Sequence, residues 1–486
     1  MRVEERRVAA GAAYLAAAQT VGLAAGYGIN IWVSRFLGPS SYGVYSIVFN
    51  TVSLVILVMS SGLPPALSRY IAADSAGAEA LRRATGRLQL VMGIGVASLY
   101  FIAAPITARL LNDRDMLPYL RISAPAIAAY ALYAVEVNYL NGLQLFRRQA
   151  ILMSAYSVAK VVSIALLATV AQVSGAVAAI ALAPLGAFAF GRVLARPRAG
   201  VQVESSQRTS LAVLARFALP FASFAVAMQL LTTFDLFLVK SLLGDNTETG
   251  FYAAASTLAR VFYLLIGSVG LVLLPAVSTA ASRASPEATR RLIQQAFRYV
   301  LLLLLPGVVL AATSAEALIS FIFSAAYADS AVPFSILVVG IALFSLFYVM
   351  SYALGGAGQP AVPMGISFVA LAIGAILGLA LIPRYGLLGA AATSTTAALA
   401  ATAFASYALY RRFQTFVPAQ SLARMVIVSA ALAVIASRVP YTSALLPLQY
   451  ALLGGLYLLG LWLVRELRGE DVRRLMQLVR PDPRAG

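Results

Sequence analysis

The sequence predicts an all-α polytopic membrane protein of about 14 transmembrane helices, arranged as two six-helix lobes related by a parallel repeat, followed by two C-terminal helices. Three observations carry this expectation. First, 61% of the 486 residues are hydrophobic and 11% are charged, with a mean hydropathy of +0.86, whereas a water-soluble globule covers itself with roughly 25% charged residues. Second, apolar windows of about 20 residues, enough for a helix to cross ~30 Å of hydrocarbon, recur along the whole chain. Third, the chain repeats itself at a separation of about 206 to 215 residues, as a duplicated unit would.

In order, the windows lie near 8–33, 43–63, 88–110, 118–142, 149–172 and 174–193. A second group falls near 211–241, 250–277, 294–313, 330–355, 361–383 and 387–410, and two more near 420–437 and 445–464. The start has a basic head and an apolar body, but that body runs to about Val33, longer than the 7–15 residues of a secretory h-region. It reads as the first span. Segment 313–330 is too polar for a span and is expected to lie along the interface as an amphipathic helix.

Basic residues set the orientation. With the N-terminus inside, alternate connections and the tail hold 27 of the 36 Lys and Arg residues and the outer connections hold seven, which is the positive-inside pattern. An even number of spans with both termini cytoplasmic follows, in a cell membrane. The net charge of +18 is therefore spread over many segments as topology signal and attraction to anionic lipid. A nucleic-acid binder would gather it into one groove, so no nucleic acid is expected. There is neither cysteine nor histidine, which excludes disulfides, thiolate chemistry and His-ligated metal. No catalytic residue, metal or cofactor is expected.

The echo pairs Asn30-Ile-Trp-Val-Ser-Arg35-Phe-Leu-Gly38 with Asp235-Leu-Phe-Leu-Val-Lys240-Ser-Leu-Leu-Gly244, each a polar residue, a basic residue five later and a Leu-Gly exit. It also pairs Asn141-Gly142-Leu143-Gln144 with Gly356-Ala357-Gly358-Gln359, and VSGAVAAIAL (173–182) with YGLLGAAATS (385–394). Domains are expected at 1–199 (spans 1–6), 200–412 (spans 7–12) and 413–486 (spans 13–14 and a cytoplasmic tail). Because six is even, the halves run in the same direction through the bilayer, the arrangement of transporters that expose a site between halves to alternate sides.

RFLGPSSYGVYS (35–46), SGLPPALSRYIA (61–72), FDLFLVKSLLG (234–244) with GFYAAAS (250–256), and LVLLPAVS (271–278) resemble the polysaccharide-biosynthesis or Wzx-like oligosaccharide flippases. That family belongs to the superfamily that also holds the MATE exporters and the MurJ-like lipid II flippases. The resemblance covers the chain to about residue 412, and two trailing spans are usual in such flippases. It implies translocation of a polyprenyl-pyrophosphate-linked oligosaccharide from the cytoplasmic to the outer leaflet, with membrane lipids and a polysaccharide polymerase or ligase as partners. A MATE-type drug or cation antiporter and a MurJ-like lipid II flippase are the alternatives. The antiporter favours a carboxylate in span one, where this chain has Asn30.

Ionisable residues deep in a span are costly and face a cavity or a partner. Four stand out: Glu136, Lys160, Asp235 and Arg260. Lys160 lies about 18 Å along its window and Arg260 about 15 Å along its own, near the midplane. One cation from each half suits an anionic pyrophosphate, since Arg binds phosphate bidentately and Lys as a compact charge. The competing expectation is that Arg260 pairs with Asp235 and Glu136 with Lys160. Asp235 and Glu136 are also the first candidates for coupling to H⁺ or Na⁺. Arg35 and Lys240 are expected to snorkel to the outer interface, with lining of the cavity exit as the other reading for both. Arg69, Arg216 and Arg298, near inner helix ends, are candidates for meeting the headgroup, though topology explains them equally well.

Overall fold

The structure is a computed structural model that describes residues 2–74, 77–195, 226–282, 286–415 and 417–467. It is helical throughout, with no strand among the described residues. Its helices are α1 (Arg2–Ser60), α2 (Leu63–Ala73), α3 (Ala78–Leu110), α4 (Leu117–Ser123), α5 (Pro125–Gly142) and α6 (Phe146–Leu194). They continue as α7 (Phe234–Leu243), α8 (Asn246–Ser282), α9 (Pro286–Thr313), α10 (Ala315–Ile322), α11 (Ala331–Gly356), α12 (Ala361–Phe413), α13 (Ala419–Ala436) and α14 (Leu446–Leu463).

Ten stretches are long and apolar enough to cross a membrane. Three of them contain a sharp break, at Gly38 in α1, at Ala171 and Gln172 in α6, and at Gly386 in α12, and so supply two spans each. The expected spans are all present except that the seventh (211–241) is described only from residue 226; Arg216 lies outside the described residues. The breaks have a steric cause: Gly38 and Gly386 adopt positive φ, 77° and 55°, a conformation that glycine reaches without a Cβ penalty.

The chain divides into two compact units, Met1–Ala253 and Ala254–Gly486. In the first, α6 packs against α1 and α5, and α5 against α3, around Leu67, Ile71, Tyr133, Tyr139, Leu140 and Leu152. The outer face of α3 stays apolar: Val91, Leu99, Ile102, Ile106 and Leu110 are each more than 60% exposed, which is a lipid-facing surface rather than a wet one. In the second unit α11 packs on α12. The hydroxyls of Thr395 and Thr402 donate across this contact to the carbonyls of Ile336 (3.1 Å) and Leu343 (2.7 Å), the interhelical bonding that replaces the hydrophobic effect in lipid. Segment 313–330 forms α10 and a 3₁₀ turn, with Ala315, Ile319, Phe323 and Tyr327 buried at every fourth position and Glu316 and Phe321 outside. It is one-sided, as an amphipathic segment is.

The duplication is visible in the backbone. Gly38 and Gly244 both close their helices with positive φ, 77° and 71°. Gln144 matches Gly358, and Gln172 matches Gly386, each pair with positive φ and each 214 residues apart. At the same separation, Gly175 and Gly389 each sit on the carbonyl eight residues back, those of Leu167 and Leu381. The sequence alignment of 173 with 385 is therefore two residues out of register: the structure pairs Val173 with Leu387. The sequence pairing set Gly175 opposite Leu387, whereas the backbone sets it opposite Gly389, and Gly386 corresponds to Gln172, which takes the strained turn without being glycine.

Candidate functional site

Within the first unit, a cavity of about 210 Å³ opens between α1, α5 and α6. Met153, Tyr156, Ser157 and Lys160 share one face of α6 because they recur at three- and four-residue steps. Tyr130 and Tyr133 come from α5, three residues apart, and α1 supplies Ala18, Gln19, Gly22, Ala25, Gly26 and Ile29. The small residues of α1 leave the room that the tyrosines and the lysine enclose. Tyr133 stacks on Tyr156 with centroids 4.6 Å apart, and Tyr130 meets both edge-on at 5.4 and 5.9 Å.

The Lys160 ammonium is half-buried and lies 4.4 Å from the centroid of the Phe49 ring, a cation–π contact. Among the described residues no carboxylate lies within ion-pair distance of it. The expected pairing of Glu136 with Lys160 is therefore not what forms. Glu136, 1% exposed, instead faces Arg82 (3.1 Å) and Arg192 (3.9 Å). Arg82 also reaches Glu79 at 3.2 Å and covers the Tyr139 ring at 4.6 Å. The physical reason is depth: Glu136 lies two turns from the end of α5, level with the arginines that open α3 and close α6, whereas Lys160 sits four turns into α6.

Asp235 is buried and accepts a 2.7 Å hydrogen bond from the Tyr252 hydroxyl and a 2.8 Å bond from the Leu236 amide. Arg260 is half-buried on α8 in the second unit. Arg298, on α9, is held by the carboxylate of Glu466 at 2.8 Å, and the same carboxylate accepts from Ser421 and lies 3.7 Å from Arg424. Arg69 and Arg35 are exposed. Arg35 borders a shallow groove with Gly28, Ile31, Trp32 and Phe36, in which the two rings stack at 4.8 Å.

Lys240 does not snorkel. It is 0% exposed, and its ammonium donates to Asp113 (2.7 Å), Asn246 (2.6 Å) and the Gly244 carbonyl (3.1 Å). Asn246 closes the triangle by donating to Asp113 at 3.0 Å. This clasp ties the loop after α3 to the end of α7 and the start of α8. Partial burial opposes ionisation of Asp113, but the hydrogen bonds from Lys240 and Asn246 and the lysine charge outweigh it and hold the carboxyl below its ordinary value. Beside the clasp, a Cβ on Gly43 would overlap the Asn246 carbonyl, and one on Gly250 would overlap the Pro39 carbonyl. The two echoed motifs thus pack directly on one another.

Sequence reasoning missed Tyr130, Tyr133 and Tyr156, Arg82 as the partner of Glu136, and Asp113 as the partner of Lys240. A Tyr-x-x-Tyr step inside an alanine-rich span was the available signal for the first. Asp113 and Lys240 are 127 residues apart, and nothing local joins them.

A family model described as polysaccharide biosynthesis protein matches residues 8–280. Among curated relatives, the uncharacterized membrane protein MJ1375 of Methanocaldococcus jannaschii is 22% identical over 73% of this chain and 86% of its own length. MJ1068 of the same organism is 27% identical over 31% of this chain, and the match spans 30% of that relative's length. The fold is similar to the lipid II flippase MurJ in an inward closed conformation, with TM-score 0.76, 14% identity and coverage of 92% and 97%. It is also similar to an inward-facing multidrug-resistance MATE family transporter of the MOP superfamily, with TM-score 0.68, 18% identity and coverage of 80% and 95%. A third solved structure, a MOP superfamily transporter from Pyrococcus furiosus described as having a binding pocket of reverse polarity, gives TM-score 0.61 and 16% identity over 83% and 95%. The chain is a multi-pass membrane protein with the fold of MOP-superfamily flippases and transporters.

Proposed function

The chain belongs to the polysaccharide biosynthesis protein family, and from that premise we propose that it is a flippase. It moves a polyprenyl-pyrophosphate-linked oligosaccharide from the cytoplasmic to the outer leaflet of the cell membrane by alternating access, in cell-surface polysaccharide biosynthesis. Sugar and pyrophosphate cannot cross the hydrocarbon unaided, because each polar group would lose its water without compensation. The polyprenyl tail has no such difficulty and stays in the bilayer. The protein therefore needs only a polar, cationic chamber, and it does no covalent chemistry.

The observation that carries the reading is Lys160, an ammonium at mid-helix depth in a cavity with no carboxylate near it. A half-buried cation without an anion at this depth is expensive in a membrane, and a pyrophosphate supplies the missing charge. Arg260 is the contribution of the second repeat, and Arg35, Arg69, Arg216 and Arg298 are further headgroup contacts along the way. Asp235 and Glu136 are the carboxylates for coupling to H⁺ or Na⁺. Both termini face the cytoplasm, and a polymerase or ligase receives the flipped product. The drug or cation antiporter fits less well, since a cation entering this cavity meets Lys160 and no acidic side chain.

The test is transport of a polyprenyl-diphosphate-linked oligosaccharide in proteoliposomes. Lys160→Gln should slow flipping by about 10- to 100-fold, the value of a charge-assisted contact, in a protein that remains monodisperse. Wild-type rates in Lys160→Gln would overturn the reading.

A further inference from the structure

We propose that the clasp of Lys240 with Asp113 and Asn246 is a latch: it holds the two repeats together at the outer end of the bundle, and it must part for that end to open. The inference deepens the alternating-access reading and rests on it for which end is outer.

The first support is where the partners come from. By the repeat, Asp113 belongs to the first copy and Lys240 and Asn246 to the second, yet all three lie in the first compact unit, Met1–Ala253. The second copy's α7 and the first two turns of α8 are thus docked among first-copy helices, while the rest of α8 belongs to the other unit. The crossing beside the clasp is reciprocal. Gly43 sits on the Asn246 carbonyl and Gly250 on the Pro39 carbonyl. Pro39 and Asn246 are 207 residues apart, as are Gly43 and Gly250, so each copy offers the other the same carbonyl and the same glycine. Rocking one repeat against the other has to break this contact.

The second support is that each half of the clasp is shaped within its own copy. Oδ1 of Asp113 accepts from the Asp115 amide at 3.0 Å and caps the 3₁₀ turn Arg114–Met116. That leaves Oδ2 for Lys240 at 2.7 Å and Asn246 at 3.0 Å. Across the contact, the left-handed Gly244 (φ 71°) turns its carbonyl back to Lys240 at 3.1 Å, and Asp245 caps the start of α8 by accepting from the Thr247 and Glu248 amides. Neither loop depends on the other for its form. The pair can part and meet again without rebuilding either side, which is what preorganisation provides.

The third support is energetic. A buried ion pair adds little net stability, because desolvation offsets the attraction, and its best-attested use is to select one arrangement over another. Lys240 is fully buried. With the ends together its ammonium has three acceptors; with the ends apart, both charges regain water at the membrane surface. A half-open arrangement leaves a charge with neither, so the contact has two states, as packed interfaces that switch do. The helix exit itself does not need this device. Arg35, the equivalent of Lys240, precedes the same left-handed glycine and is exposed.

The experiment uses the full chain in nanodiscs. Because the chain has no cysteine, a thiol at Thr249→Cys, fully buried in the first turn of α8, reports opening of this end to a water-soluble maleimide. Asp113→Asn should speed its labelling by about 10- to 100-fold, the worth of a hydrogen bond to a charged group. Ala187→Cys, buried in the core of the same unit, should label at an unchanged rate. No acceleration at Thr249→Cys, or equal acceleration at both positions, overturns the latch, the second result making the clasp a staple of the whole fold. A second arm bridges Arg114→Cys to Thr247→Cys, which flank the clasp on opposite copies, with a short bifunctional methanethiosulfonate. The bridge should abolish flipping of a polyprenyl-diphosphate-linked oligosaccharide in proteoliposomes, and dithiothreitol should restore it; flipping undiminished by the bridge overturns the latch. If the wild-type chain flips nothing, the flippase reading fails, and the labelling arm still decides whether this end opens through the clasp.

Discussion

Gly38 and Gly244 leave their helices through the same left-handed backbone, yet the basic residues just before them have opposite surroundings. Arg35 is exposed beside a stacked Trp32 and Phe36. Lys240 is fully buried and clasped by Asp113 and Asn246. The same contrast separates the polar wall of Tyr130, Tyr133, Tyr156 and Lys160 from Phe344, Phe347, Ala370 and Gly374 at the corresponding positions. Duplication preserved what the backbone needs, a glycine or a tolerated positive φ at each bend. It left the polar side chains free to diverge, and Lys160, proposed above as the anion ligand, is at one of the positions where they do.

The sharpest way to break this comparison is at the two basic residues. Asp113→Ala strands a buried ammonium and should destabilise the protein by about 3–5 kcal/mol, read as thermal unfolding in detergent; Arg35→Ala should cost less than about 0.5 kcal/mol. Equal effects would mean that the two sites are energetically alike. Because the folded-state pKa of Asp113 is depressed, the clasp's contribution is fully present above the unfolded value of about 3.9 and is lost as pH falls through the lower folded value. Unfolding temperature should therefore owe no pH dependence to this clasp between pH 7 and 5, and Asp113→Asn should flatten part of the decline below pH 4.

Next in size is the contact between the echoed motifs. Gly43→Ala drives a methyl into the Asn246 carbonyl, and backbone must move to admit it; a cost of about 1–3 kcal/mol is expected. Gly28, with no atom within 4 Å of its Cβ position, should accept alanine with no loss and serves as the control. Differential scanning of both variants decides this.

Smallest is the effect on stability of making the first repeat resemble the second. Tyr130→Phe/Tyr133→Phe removes two hydroxyls that bond to nothing in the protein, so stability should change by less than about 0.5 kcal/mol or rise slightly. A large loss by thermal unfolding would show that the hydroxyls serve the fold.

The spans, their order and the duplication were legible because each is written in a run of residues: apolar length, basic flanks and glycines that sit at the bends themselves. Even the one-sided α10 could be read from spacing alone. The site was legible only as depth. Lys160 was singled out because a lysine far inside an apolar run is costly wherever it points. Its tyrosine neighbours went unseen because which hydroxyls converge depends on how α5 and α6 are rotated against one another, which no run of residues records. The expected pairing of Glu136 with Lys160 failed for a related reason. Glu136 and Lys160 look close when depth is counted from window edges, but α5 and α6 meet near their shared turn, so that Glu136 sits among the end arginines. Lys240 at a helix end was assigned to the interface on general grounds, and only the long-range approach of Asp113 reversed that.

The central claim is that the polar cavity of the first repeat holds the anionic headgroup. Because the chain has no cysteine, a single thiol reports on it directly. Ser157→Cys lines the cavity, and Leu371→Cys stands at the corresponding position of the second repeat. With polyprenyl diphosphate in the nanodisc, labelling of Ser157→Cys by a water-soluble maleimide should slow by about tenfold, roughly the occupancy expected at ten times the Kd, while Leu371→Cys is unaffected. Unchanged labelling at Ser157→Cys, or equal protection of both positions, would contradict the account.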